Sequence, residues 1–311
     1  MTKKIRMMKK IFLAIILFCN LSVMAQQDPL FSQYMFNKLL VNPGYAGSTE
    51  TFSVDLLNRY QWVGIEGAPR TTTLAAHALL GENVGLGGYV YRDELGPTIN
   101  QGAMATYSYR IRTRYGWLSF GIQGGIKYFD FDWNAITTEY PDLAFDPVDI
   151  RRITPDLNLG IYYYAPKFFA GFSSKQLLEN EYGNYTTSDG NSSFSRLSRH
   201  FYAMTGMVFP LNDKMAFRPS IMGKYVDNAP VQFDFNASLI FNDMFWIGAA
   251  FRTEKAVVFL TEFNIGKGFR LGYSFDLYLN ELQLHNNGSH EFRLGFDLPG
   301  KKERMKTPRY F

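Results

Sequence analysis

The chain alternates. In about fourteen stretches after residue 50, side chains of one character occupy every second position, and a period of two is the spacing of a β-strand, whose successive side chains point to opposite faces. The stretches are 51–63, 70–80, 83–92, 98–112, 115–131, 156–165, 167–175, 200–210, 214–226, 231–242, 244–253, 256–265, 268–279 and 290–298. In 231–241, for example, Val231, Phe233, Phe235, Ala237, Leu239 and Phe241 share one face, and Gln232, Asp234, Asn236, Ser238 and Ile240 share the other. In 269–277, Phe269, Leu271, Tyr273, Phe275 and Leu277 oppose Arg270, Gly272, Ser274 and Asp276. Asn212-Asp213, Asn242-Asp243, Gly266-Lys267-Gly268 and Asn286-Asn287-Gly288 supply turn chemistry between stretches.

A soluble sandwich also alternates, so the contents of the two faces decide between architectures. The apolar face keeps Phe, Leu, Ile and Val over many residues with Tyr and Trp near the ends, while the other face collects Arg, Asp, Glu and Gly. An apolar band with aromatic ends, set against a charged face, fits a barrel that is greasy outside and polar inside. The first 25 residues agree. Lys3, Lys4, Arg6, Lys9 and Lys10 precede the apolar run 11–18 and the small residues before position 26, the pattern of a secretory signal cleaved after Ala25. That run is shorter than the roughly 20 residues of a membrane helix. Cys19 follows the bulky Phe18, unlike a lipidation site. The predicted fold is all-β, an antiparallel transmembrane barrel of about 14 strands in the outer membrane, with a secreted sandwich as the alternative.

Composition narrows the function. The 32 basic and 28 acidic residues become 27 and 28 once the signal's five are removed, a net of −1, so no nucleic-acid partner is implied. The same cleavage removes the single cysteine, leaving the barrel to be held by burial and backbone pairing. The histidines His77, His200, His285 and His290 show no metal-ligand spacing, and no cofactor is predicted. Ser289, His290 and Glu291 have the residue types of a hydrolase, but neighbours on a strand point to opposite faces and cannot share a proton. Gly85-Leu86-Gly87-Gly88 lies within an alternating stretch with no helix after it, which excludes a phosphate loop. No catalytic role is assigned.

The candidate interior polar residues are Arg110, Arg112, Asp234, Arg252, Glu262, Arg270, Asp276 and Arg293. Mixed in sign, they suit either a selective pore or an interior paired with itself. Polar gaps at 133–154 and 178–199 read as loops on one side of the barrel, and 299–311 as a basic tail.

Residues 26–50 alone neither alternate nor repeat. Asp28-Pro29 is suited to start a helix and Asn42-Pro43 to end it. Such a helix is apolar all round, which calls for cover. The expectation is a short helix that plugs the periplasmic end of the barrel 51–298, with Phe31, Tyr34, Met35, Phe36, Leu39, Pro43 and Tyr45 packed inside and Asn37 and Asn42 bonded to interior polar groups. The alternative is an arm that stays free until a partner binds it.

This segment also carries a likeness. QDPLFSQYMFNKLLVNPGYAGS (27–48) resembles the N-terminal signature of the PorP/SprF family of type IX secretion and gliding proteins of Bacteroidota. The resemblance continues in RHFYAMTGMVFPLNDKMAFRPSIMGKY (199–225), Trp246-Ile247-Gly248 with Phe251-Arg252, LGYSFD (271–276) and GSHE (288–291). Lys38 departs from it, standing where the family often has Pro. The resemblance implies a non-enzymatic barrel working by protein contacts. Its partners would be outer-membrane lipid and either other secretion proteins, ring or peptidoglycan-linked, or the C-terminal domains of secreted cargo and adhesins. A general or ligand-specific diffusion porin is the competing function.

Overall fold

The structure is a computed structural model that describes residues 31–132, 150–186, 192–227, 229–266 and 268–298. The first strands are β1 (Phe52–Tyr60), β2 (Arg70–Leu80), β3 (Val84–Leu95), β4 (Thr98–Arg112), β5 (Trp117–Phe131), β6 (Ile150–Ala165) and β7 (Phe168–Lys175). A small separate hairpin, β8 (Glu181–Thr186) and β9 (Ser192–Arg196), follows. Then come β10 (His200–Met207), β11 (Phe209–Asn212), β12 (Met215–Val226), β13 (Gln232–Phe241), β14 (Phe245–Arg252), β15 (Ala256–Ile265), β16 (Phe269–Tyr278) and β17 (Ser289–Leu298). Each barrel strand runs antiparallel to its neighbours. Both β10 and β11 pair with β12, so they are one strand interrupted at Val208, and β1 pairs with β17 to close the ring. The result is a closed antiparallel barrel of fourteen strands.

Closure follows from the environment that the outer face demands. In hydrocarbon every unpaired backbone N–H or C=O costs several kcal/mol, and a ring of strands leaves no edge. The alternation then assigns the faces as the inverted arrangement requires. Phe235, Ile247, Phe259 and Leu271 are exposed on the outside, while Arg59, Arg218, Asp234, Arg252, Glu262, Asp276, Glu291 and Arg293 are buried inside. A water-soluble fold would reverse these faces.

Connections at one end of the barrel are short, as at 81–83, 113–116, 166–167 and 213–214; at the other end they include 61–69, 176–199 and 279–288. Outer-membrane barrels place short turns toward the periplasm, so the first is the periplasmic end. The wall is uneven in height. β4 and β5 have 15 residues and β6 has 16, against 8 in β14 and 10 in β17.

Two gaps need correction. The first ends early, because Ile150–Thr154 continue β6 opposite Phe131–Lys127, and 133–149 lie outside the described residues. The second holds the β8–β9 hairpin, invisible to an alternation search because its sequence is polar at nearly every position.

The outward face generates a test. Phe259, mid-strand on β15 and 51% exposed, meets lipid. Phe259→Arg is expected to lower the stability of the barrel in lipid vesicles by about 2–4 kcal/mol, read from urea unfolding midpoints; no change would remove this face from the bilayer.

Candidate functional site: the lumen and the segment inside it

Residues 32–47 are buried, and they touch the inner faces of strands on opposite sides of the ring. The first contacts lie in the loop-end half. Glu291 on β17 accepts the backbone N–H of both Ser32 and Gln33 at 2.8 Å, and Gln33 Nε2 donates to the Glu291 carbonyl at 2.9 Å. Ser32 Oγ donates to Asp276 at 2.7 Å and accepts from Arg59 Nη1 at 2.8 Å. The last contacts lie at the turn end, where Ser108 Oγ donates to the Ala46 carbonyl at 2.8 Å and Arg110 Nη1 donates to Glu50 at 2.9 Å. The segment therefore spans the lumen from one end to the other.

The expected helix does not form over the described part of this segment. Two 3-10 turns stand instead, Lys38–Leu40 and Pro43–Tyr45. Several backbone groups of the segment are taken by the wall, among them the Val41 carbonyl by Ser173 Oγ and the Ala46 carbonyl by Ser108 Oγ, both at 2.8 Å, and Pro43 has no N–H to give a helix at its own position. Asn42 caps the second turn through Oδ1, which accepts from Gly44 N at 2.8 Å, while its Nδ2 donates to the Ile161 and Phe172 carbonyls at 3.0 and 3.3 Å.

That insertion between β6 and β7 needs a thin wall. A Cβ at Gly160 or Gly171 would fall within 3.0 Å of the Asn42 side chain, one at Gly121 within 3.0 Å of Pro43 and Gly44, and one at Gly85 within 3.0 Å of the Ala46 carbonyl. Real Cβ atoms do not approach so closely, so these strand glycines are a footprint of the segment on the wall.

Around the segment the interior charges form two clusters. In the first, Arg59 bridges Asp276 at 2.8 Å and Glu291 at 3.1 Å, Arg252 joins Asp276 at 3.3 Å to Asp234 at 3.4 Å, and Lys224 meets Asp234 at 3.0 Å. In the second, Arg293 contacts Glu262 and Asp55, the latter at 2.6 Å, and Arg270 meets Asp297 at 2.8 Å and Asp55 at 3.5 Å. Between them lie aromatic contacts. Phe36 packs edge-on against Trp246 at 5.5 Å with Arg293 over its ring at 5.4 Å, and Arg218 sits over Phe169 and Trp246.

Lys38 is buried here without a carboxylate partner among the described residues. Its Nζ donates to the Met35 carbonyl at 2.7 Å and lies 5.2 and 5.0 Å from the centroids of Tyr45 and Phe169.

Of the residues expected to fill the lumen, Tyr34, Met35, Phe36, Leu39 and Tyr45 are buried and Phe31 packs at the edge of the same core. Asn37 is buried with neither side-chain atom hydrogen-bonded, contrary to the bonding expected of it, since its neighbours Phe36 and Lys38 lie among aromatic rings. Of the wall candidates, Arg112 is exposed rather than interior, because it ends β4 and lies at the rim over Trp117. Composition alone missed Arg59, Arg218, Lys38, Ser32, Gln33 and Glu291. Parity with Asp55 on β1 would have found Arg59. Ser289 points inward and is buried, whereas His290 faces outward and meets Tyr273 OH at 2.8 Å, so the two do not face one another.

Two measurements test this packing. Gly121→Val and Gly160→Val are each expected to cost about 1–3 kcal/mol or more in urea unfolding, while Gly124→Val, whose Cβ would meet only the Asp156 carbonyl at 4.0 Å, is tolerated. Lys38→Met, which removes a buried cation with no carboxylate partner among the described residues, is expected to leave the urea unfolding midpoint unchanged or raise it, and a markedly lower midpoint would show that the charge is stabilising where it sits.

No curated sequence matches the chain significantly. Among solved structures, the toluene transporter TbuX of Ralstonia pickettii matches with a TM-score of 0.51 at 9% identity, covering 83% of this chain and 92% of that one. The monoaromatic hydrocarbon channel CymD matches with a TM-score of 0.50 at 10% identity, covering 90% and 96%. At such identities the likeness is one of fold, that of an outer-membrane barrel. The family model described as type IX secretion system membrane protein PorP/SprF matches residues 23–296, and the chain belongs to that family.

Proposed function

We propose that this protein is a non-enzymatic component of the type IX secretion system whose lumen is filled by its own N-terminal segment, and that it acts through its surfaces. On this reading the chain divides into a signal peptide (1–25), a plug segment (26–50), the barrel (51–298) and a basic tail (299–311). The partners are periplasmic machinery, the C-terminal domains of secreted cargo or adhesins, or both. The supporting observation is the glycine footprint. Wall positions that tolerate no Cβ because segment backbone or Asn42 lies against them fit a segment that stays in place. A lumen crossed by a docked segment and by two clusters of buried ion pairs is poorly suited to diffusion.

The expected outcomes separate this reading from a porin. Purified full-length protein should give no stable conductance in planar bilayers, and clean deletion should abolish secretion or surface display of selected proteins. Steady conductance by the wild type, with secretion intact in the deletion strain, would make the protein a porin.

A further inference from the structure

Three neighbouring cations at the periplasmic end have no carboxylate partner among the described residues: Arg112 at the end of β4, Arg114 in the β4–β5 turn, and Lys167 in the β6–β7 turn. Neither turn contains an acidic residue. The two turns are neighbours, because Trp117 stands opposite Tyr164 in the β5–β6 ladder and Gly116 lies against the Tyr164 carbonyl and Ala165. All three cations are exposed, as is Tyr115 at 70%.

Aromatic rings order the two arginines. The Arg114 guanidinium lies 5.2 Å from the Tyr115 ring centroid, and that of Arg112 lies 5.9 Å from the Trp117 ring, which Arg110 covers at 4.1 Å. Guanidinium groups held against rings still present N–H donors at their edges, in the fork that matches a carboxylate. The nearby Glu50 is already held by Arg110 at 2.9 Å. Trp117 shares the inward parity of Ser119 and Gln123, so Arg112, stacked on it, stands over the mouth of the lumen instead of the lipid-facing side. That placement favours a protein ligand over a lipid headgroup.

We propose that Arg112, Arg114 and Lys167, with Tyr115 and Trp117, form a docking surface on the periplasmic rim for an acidic, extended segment of a periplasmic protein. This rests on the secretion reading and names the chemistry of one partner. The test uses the full-length protein in detergent micelles and a short fluorescent Glu/Ser peptide followed by anisotropy. The wild type should bind with an affinity that falls as salt rises, and Arg112→Gln/Arg114→Gln/Lys167→Gln should weaken binding about tenfold or more. Lys214→Gln/Lys255→Gln, which removes charge from other connections, should bind as the wild type does; heat-modifiable mobility on gels checks that every variant is folded.

Equal binding by the triple variant, or an equal loss in the control variant, overturns the proposal. Capture of phosphatidylglycerol by this patch with no peptide binding makes it a lipid site and overturns it too. In cells, a triple variant that secretes normally and co-isolates with its partners sinks this surface but leaves the secretion reading standing. Normal secretion by the full deletion strain sinks the secretion reading itself, whatever the peptide does.

Discussion

A closed ring of fourteen strands solves the backbone's problem in lipid and creates another inside. Its lumen is wider than its own side chains readily fill, and charged residues face into it. Burying one member of an ion pair without the other costs several kcal/mol, so charges in such a lumen must be matched. The two clusters meet that condition together with Arg218. Arg59, Arg218, Lys224, Arg252, Arg270 and Arg293 stand against Asp55, Asp234, Glu262, Asp276, Glu291 and Asp297, six cations and six carboxylates. Lys38 stands outside these clusters with no carboxylate partner among the described residues, its Nζ held by the Met35 carbonyl and beside the rings of Tyr45 and Phe169.

The segment is part of this balance as well as its cover. Ser32 lies between Arg59, Asp276 and Glu291, and its backbone N–H takes one Glu291 oxygen while Gln33 takes the other. Removing those donors would leave a buried carboxylate short of hydrogen bonds, a cost that falls on the barrel wall as well as on the segment. Apolar packing does the remaining work through Leu39, Leu40, Phe36 and Tyr45, all buried. The two contributions are distributed differently. Ion pairs and charge-assisted hydrogen bonds fix Ser32 and Gln33, whereas steric fit to glycines fixes Asn42 to Ala46.

The wall of this structure was legible because lipid imposes one rule on every strand. Phe233, Phe235 and Phe241 had to share a face, Asp234 and Asn236 had to share the other, and counting positions was enough to find all fourteen strands. The contents of the lumen obey no such period. Phe36, Lys38 and Leu39 are all buried although they are not equivalently spaced on any regular element, because the segment is enclosed on all sides and burial no longer selects a face. Arg112 shows the converse limit. Its parity is inward like that of Arg110, but strand ends leave the lumen, and parity carries no information about height.

The seam where the ring closes connects these two parts of the chain. Arg59 on β1 stands in register with Glu291 on β17, so the pair lies across the junction of the first and last strands. Ser32 bonds to both partners. Glycine contacts of the segment are distributed over β3, β5, β6 and β7, and Gln33 lies against Gly272 on β16, so the segment is surrounded once the seam is shut. The segment thus has polar anchors to the closing strands at one end and its covalent link to β1 at the other, and Glu291 serves both the seam and the segment.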